Sequence, residues 1–254
     1  MIGIDLSGKL AVVTGGSGEL GRVMVRTLAR AGAGVVVGYL GNLAKAQELA
    51  DEVAALGVRA SAEQVDVTDL ASVMALRERV CAALGDADII VNNAVIQYNW
   101  VSVLDQGVED YESQFRSCVL HNVHMAKAFV PAMRGKGWGR VIGINTECAM
   151  QCVGGQSAYA SAKRGMDGVL RVLAREVGES GITVNQVAPG WTLSENRGAG
   201  SSEGEMEYVR RIPLRRRGTD QEIANVVVFL ASDLASYITG AYVPVSGGNV
   251  MPTI

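Results

Sequence analysis

"LAVVTGGSGELGRVMVRTLARAG", residues 10–32, decides how the chain is read. Its first four residues are apolar without alternation, as in a strand covered on both faces. Four glycines follow within Thr14 to Gly21, more than a tight turn requires. From Leu20 to Ala31 the apolar positions recur at helical spacing. A strand, a glycine turn and a helix amino terminus together make an anion site, because free amides point outward and the helix dipole favours negative charge. Glu19 is out of keeping, since it sets a carboxylate where an anion would come closest.

The same alternation repeats outward from this unit. Leu10–Thr14, Val35–Tyr39, Ala60–Val67, Asp88–Asn93, Arg140–Asn145, Thr183–Ala188 and Tyr242–Val245 read as seven strands, separated by helical stretches. Asn42 suits the start of the helix carrying Leu43, Leu49, Val53 and Leu56, and Gly57 suits its end. Thr219 to Glu222, "TDQE", reads as a capping box. Strand and helix alternating throughout predict an α/β fold: a doubly wound, seven-stranded parallel sheet with helices on both faces, Rossmann-like. No Pro-, Ser- or charge-rich linker interrupts it, so residues 1–254 are expected to form a single domain. Ligands in such sheets bind beyond the carboxyl ends of the strands.

Composition narrows the function. Of 254 residues 48% are hydrophobic and 19% charged, and the net charge is -3. That balance gives no broad basic field, so no nucleic-acid partner is expected. The one basic cluster, Arg210 to Gly218, reads either as an anion contact or as a solvated or subunit-facing loop. Asp5 and Lys9 interrupt the amino-terminal apolar residues, and no run approaches the ~18 apolar residues of a membrane span, so a cytoplasmic protein without membrane contact is expected. Cys81, Cys118, Cys148 and Cys152 are too few for a disulfide framework and lack a second ligand pair, and His121 and His124 do not complete one; no metal site is expected.

Two farther stretches give the glycine turn its meaning: "YASAK", Tyr159 to Lys163, and "NNAV", Asn92 to Val95. With them the chain resembles the short-chain dehydrogenase/reductase family over nearly all its length. The family's markers occur in order: "TGGSGELG", Asp66-Val67, "NNAV", "YASAK", Pro189-Gly190 and "SYITGAYVPVSGG". The resemblance implies an NAD(P)-binding oxidoreductase that moves hydride between nicotinamide and a carbonyl or alcohol carbon, with Tyr159 as general acid or base and Lys163 gripping the nicotinamide ribose. Independently, Tyr159 and Lys163 lie four apart and share a helix face, and a nearby ammonium favours the phenolate. The cofactor residues implied are Gly15, Ser17, Gly18, Glu19, Leu20, Gly21, Tyr39, Leu40, Asp66, Val67, Asn93, Ala94, Val95, Tyr159, Lys163, Pro189, Gly190, Thr192 and Ser194.

Four departures from the family pattern matter. Thirteen residues before Tyr159, where a serine is usual, stands Thr146, which keeps the hydroxyl and narrows the pocket. Twenty-eight residues before Thr146, where an asparagine of the proton relay is usual, stands Cys118, a weak donor and acceptor; Asn122, one turn on, is the candidate replacement. Glu19 takes the place of a glycine, and a non-glycine residue forced to positive φ there costs about 1–2 kcal/mol. Either its side chain turns away, toward a ribose hydroxyl or Arg22, or the cofactor binds weakly. At the end of the second strand Tyr39 and Leu40 supply neither the acid that selects NAD nor the arginine that selects NADP. With Glu19 adding negative charge nearby, the reading leans to NAD.

The substrate wall is expected from Gln97, Trp100, Glu147, Met150 and Trp191, beneath a lid over about residues 191–212. Their mixture suits a small polar carbonyl, hydroxy acid or sugar-like alcohol as well as a bulky ketone. The resemblance also implies a homotetramer built on the helices near Val108–Met133 and Ser157–Gly178 and the carboxyl-terminal strand region. A cofactor-retaining epimerase or lyase, and a catalytically weak binding member of the family, are the alternatives.

Overall fold

In the computed structural model, residues 3–194 and 202–252 are described. The seven strands β1 (Leu10–Val13), β2 (Gly34–Tyr39), β3 (Ala60–Gln64), β4 (Ile89–Asn92), β5 (Gly139–Ile144), β6 (Ile182–Pro189) and β7 (Tyr242–Val245) form one sheet in the order β3-β2-β1-β4-β5-β6-β7. Every pairing is parallel. The order reverses between β1 and β4, which places the topological switch point beside the glycine turn. β3 stops short of the predicted Val67. There Asp66 Oδ1 accepts from both the amide and the hydroxyl of Thr68, at 2.9 and 2.7 Å, and this turn takes the backbone out of the ladder.

The helices are α1 (Glu19–Arg30), α2 (Leu43–Ala54), α3 (Leu70–Leu84), α4 (Val108–Gln114), α5 (His121–Lys136), α6 (Cys148–Gln151), α7 (Ser157–Val177), α8 (Glu203–Arg211) and α9 (Asp220–Ala231). Along β1, Ala11 and Val13 pack with α1, α2 and α9, while Leu10 and Val12 pack with α3, α5 and α7. This two-sided burial is why β1 reads as an unbroken apolar run. Each fully buried Val or Leu contributes about 1.5–3 kcal/mol relative to exposure. Asn42 accepts from the amide of Lys45, and Thr219 and Glu222 close the predicted capping box. Between α4 and α5 the chain runs through a π-helical turn, Phe115–Leu120, so the long helix is kinked at Cys118. No helix among the described residues is long and apolar enough to cross a membrane.

Charged groups close the amino end of the sheet. Asp88 Oδ2 accepts from the Leu10 amide at 2.9 Å, and its Oδ1 pairs with Lys136 at 2.8 Å. Arg140, 2% exposed, lies over the Trp138 ring and reaches Asp233 at 2.9 Å, with Lys9 also over that ring.

Candidate functional site

The glycine turn leaves β1 through Gly15, whose φ of +61° is the left-handed value that a side chain disfavours. Gly21 is needed for a different reason: a Cβ there would stand 2.1 Å from the Gly15 carbonyl oxygen. Asn93 binds the turn to β4, its Nδ2 donating to the carbonyls of Thr14 and Gly15 at 3.1 Å each. Thr14 Oγ1 accepts from the amides of Asn93 and Ala94, at 3.0 and 3.2 Å.

Glu19 is the first residue of α1, exposed, and carries no positive φ. The expected backbone strain is therefore absent, because the left-handed residue is Gly15. An acid in a first helical turn is stabilised by the dipole, which gives a local reason for Glu19.

Beyond the carboxyl ends of the strands lies a cavity of about 790 Å³ that runs from Asp66 and Val67, past the glycine turn, to Tyr159 and Lys163. Gly15, Gly18, Glu19, Leu20, Gly21, Tyr39, Leu40, Asn93, Ala94, Val95, Pro189, Gly190 and Thr192 also line it. Ser17 and Ser194 are set off its walls. Val65, Thr68, Ser117, Ile144 and Asn145 line it without having been singled out in the sequence. Two observations fit these walls to a dinucleotide: the Gly15–Gly21 approach leaves no room for side chains, and the buried Ser117 hydroxyl facing the cavity has no partner.

Tyr159 and Lys163 stand on α7, on one face as predicted. Lys163 Nζ is 5.6 Å from the Tyr159 ring centroid and donates to the Ile144 carbonyl at 2.6 Å. Tyr159 is held by Tyr98, whose hydroxyl accepts from the Tyr159 amide at 2.9 Å, and by Trp100, stacked at 6.2 Å. Burial raises the Tyr159 phenol above its ordinary range, the Cys118 and Cys148 thiols add to this, and the neighbouring Thr146 opposes it. Burial outweighs the acidification expected from Lys163, whose ammonium is bonded to a carbonyl of β5. A phenol kept protonated is suited to donate.

Asn145, missed in the sequence, arranges this centre. Its Nδ2 donates to the Lys163 carbonyl at 3.1 Å and to Gln186 Oε1 at 2.7 Å, and its Oδ1 accepts from the Thr146 amide at 2.9 Å. A signal was available, since an amide ending a buried strand needs partners.

The Cys118 thiol lies in a small cluster with Val119 and Ala162 against Tyr159, off the cavity, with Gln114 Oε1 at 3.9 Å. Asn122 does not replace it at the cavity. Its Nδ2 donates to the Cys118 carbonyl at 2.6 Å and its Oδ1 accepts from Asn92 at 2.8 Å, so both ends of the amide are engaged. His121 beneath them is fully buried. Its Nδ1 donates to the Ser117 carbonyl at 3.1 Å, leaving Nε2 to accept from Thr14 Oγ1 at 3.0 Å, and burial lowers it to about 3.

A second cavity of about 590 Å³ adjoins Tyr159. Gln97, Trp100, Glu147 and Trp191 line it as expected; Met150 does not, being on the turn of α6 whose Cys148 and Gln151 face inward. Glu147, 3% exposed, accepts from the Tyr208 hydroxyl at 2.7 Å and from Asn249 Nδ2 at 3.0 Å, and its burial raises its carboxyl. Tyr208 also accepts from the Trp191 amide at 2.7 Å. Three distant segments thus meet on one carboxylate, a convergence with no local signal in the sequence.

In the basic cluster Arg210, Arg211, Arg215 and Arg216 are exposed, as a solvated loop would have them, while Arg217 turns inward upon the chain. Arg217 pairs with Glu205, donates to the carbonyl of Trp191 at 3.0 Å and stacks on its ring, while Arg216 pairs with Glu222 at 2.5 Å. The Arg217 contacts tie α8 to Trp191, and both border the second cavity. Residues 195–201 of the expected lid lie outside the described residues. Among the described residues no group of His, Cys, Asp and Glu is arranged to hold a metal ion.

Comparison with known proteins agrees with this geometry. The family described as enoyl-(acyl carrier protein) reductase matches residues 17–249. The 3-oxoacyl-[acyl-carrier-protein] reductase FabG of Escherichia coli is 38% identical over 248 residues, 98% of this chain and 100% of that protein. Its Staphylococcus aureus counterpart is 36% identical, covering 96% and 98% of the two chains. Among solved structures, a mutant short-chain dehydrogenase/reductase of Serratia marcescens superposes with a TM-score of 0.89 at 31% identity, over 96% of this chain and 98% of that one. A gluconate 5-dehydrogenase of Burkholderia cenocepacia, in complex with NADP and tartrate, gives 0.90 at 28% identity, over 97% and 96%.

Proposed function

Since this chain belongs to the short-chain dehydrogenase/reductase family and is an NAD(P)-dependent oxidoreductase, we propose that it reduces small polar carbonyl compounds, or oxidises the matching alcohols, with Tyr159 exchanging the proton. The observation that carries the proposal is Tyr159 at the junction of the two cavities, with Thr146 lining both. When bound, the dinucleotide supplies or accepts hydride. Thr146 orients the substrate oxygen, and the Tyr159 phenol delivers its proton to the oxygen on which charge develops. Lys163 binds the nicotinamide-side ribose. Closure of the second cavity by Trp100, Trp191 and α8 excludes water from the reacting carbon.

The wall around Glu147 favours hydroxylated substrates over purely apolar ones. Tyr208 and Asn249 already engage Glu147, but the same wall carries Gln97, Gln151 and Gln156, whose buried Oε1 has no partner among the described residues, and such groups reject a ligand that leaves them unanswered. The tartrate bound to the gluconate 5-dehydrogenase relative agrees with this class. The lean to NAD has no support from the relatives, one of which holds NADP, and Tyr39 and Leu40 contain no acid to repel a 2'-phosphate. We infer weak discrimination between the two cofactors. Cytoplasmic residence, and a homotetramer through the helices bearing the exposed Phe115 and Val172, complete the proposal. The test is the absorbance of reduced nicotinamide in assays of hydroxy acids, polyols and hydrophobic ketones with each cofactor. Turnover is expected with the hydroxylated set; turnover confined to hydrophobic ketones overturns the substrate reading.

A further inference from the structure

The π-helical turn places Ser117 in the wall of the dinucleotide cavity, and among the described residues nothing engages its hydroxyl. Ser117 is wholly buried, lines the same cavity as Lys163 and Asn145, and its Oγ has no hydrogen-bond partner among the described residues. A buried hydroxyl without a partner costs free energy, so its retention calls for a ligand group that answers it. The backbone around it is unusually well fixed. The Ser117 carbonyl accepts from His121 Nδ1, and the next carbonyl, of Cys118, accepts from Asn122 Nδ2. The turn is thereby held so that residue 117 faces the cavity while the Cys118 thiol is turned into the cluster behind Tyr159.

We propose that Ser117 is a cofactor-positioning residue: its hydroxyl hydrogen-bonds a polar group of the nicotinamide half of the bound dinucleotide, close to Lys163. The inference rests on the dinucleotide reading above and adds a residue to it. It also accounts for the loss of an amide at residue 118. The polar contact from this turn to the cavity comes from the neighbouring residue, one position earlier along the chain.

Calorimetric titration of NAD and NADP into the wild-type protein, Ser117→Ala and Ser117→Cys, without substrate, tests this alongside melting of each protein free of cofactor. Removing one neutral hydrogen bond is expected to weaken cofactor binding about three- to tenfold. The cofactor-free melting temperature of Ser117→Ala should stay level or rise, because an orphaned hydroxyl has been removed. Ser117→Cys keeps the shape but donates weakly, and should bind like Ser117→Ala. Wild-type affinity in either variant overturns the inference and leaves the enzyme reading intact. Failure of the cofactor-free Ser117→Ala protein to fold, or a lowered melting temperature, overturns it too, since the hydroxyl would then have a structural partner. A wild-type protein that binds neither dinucleotide removes the enzyme reading itself.

Discussion

The two edges of the sheet gather similar side chains and leave them in different states. At the amino edge, Asp88 has both oxygens engaged, one by the first amide of β1 and one by Lys136, and Trp138 lies between Lys9 and Arg140. At the carboxyl edge, Tyr159 stands half-buried between the two cavities, and the Ser117 hydroxyl has no partner among the described residues. Satisfied polar groups stabilise a fold, whereas groups held ready for an absent partner cost it something. The contrast teaches which edge to mutate for stability and which for chemistry.

Tyr159→Phe probes the chemical edge and carries the largest expected effect. Loss of the proton donor should lower turnover about 10³-fold, while the melting temperature holds or rises, since a buried hydroxyl is gone. Steady-state kinetics and a thermal melt on the same preparation check both halves; a variant keeping about a tenth or more of wild-type turnover would remove Tyr159 from the mechanism.

Asp88→Ala probes the other edge with the reverse signature. It leaves the buried Leu10 amide unanswered and Lys136 without its carboxylate, so about 2–3 kcal/mol of unfolding free energy should disappear. Activity per folded molecule should not change. Urea titration measures the first and active-site-normalised rates the second; a stable but inactive Asp88→Ala protein would erase the distinction between the edges.

How far each edge could be read from the sequence follows from the range of its interactions. The central strands were legible because both faces are buried, and β3 ended three residues early, where a side-chain turn at Asp66 competes with the ladder. The glycine turn, Asp66-Val67 and Tyr159 with Lys163 were legible because each is a local pattern. Glu19 was misjudged, since one-dimensional register does not say which residue carries the positive φ; that residue is Gly15. Tyr208, Asn249 and the amino-edge clamp were not legible. Their partners lie tens of residues away, and only the fold brings them together. Cys118 shows a subtler limit: its register is right for the relay position, yet the thiol faces away from the cavity.

His121 offers a smaller, pH-dependent probe beneath the chemical edge. Its folded-state value is about 3 against an ordinary 6.5, so between these the unfolded chain binds a proton that the folded chain refuses. Stability should therefore be level above pH 6.5 and fall as the solution is acidified below it, by up to about 1.4 kcal/mol per pH unit from this group. Urea unfolding at several values from about pH 7 down to about pH 5 reads the slope before most carboxylates titrate. His121→Gln, which can still donate to Ser117 and accept from Thr14, should flatten it. Equal slopes in the two proteins would mean that His121 charges inside the fold.

The smallest effect expected is on cofactor choice at the outer end of the chemical edge. Leu40 is 62% exposed and lines the cavity where β2 ends, next to Tyr39, with no acid at either position. Leu40→Arg places a cation there without disturbing packed residues, so melting should not move. In water-like dielectric such a charge contributes on the order of 1 kcal/mol toward a doubly charged phosphate, which corresponds to a gain of about three- to tenfold for NADP over NAD. Because the pair is exposed, the gain should shrink as salt is raised. Comparing kcat/KM for the two cofactors at low and high ionic strength reads both features. A preference that moves toward NAD, or does not respond to salt, would place the adenosine ribose away from β2 and break the assignment of that end of the cavity.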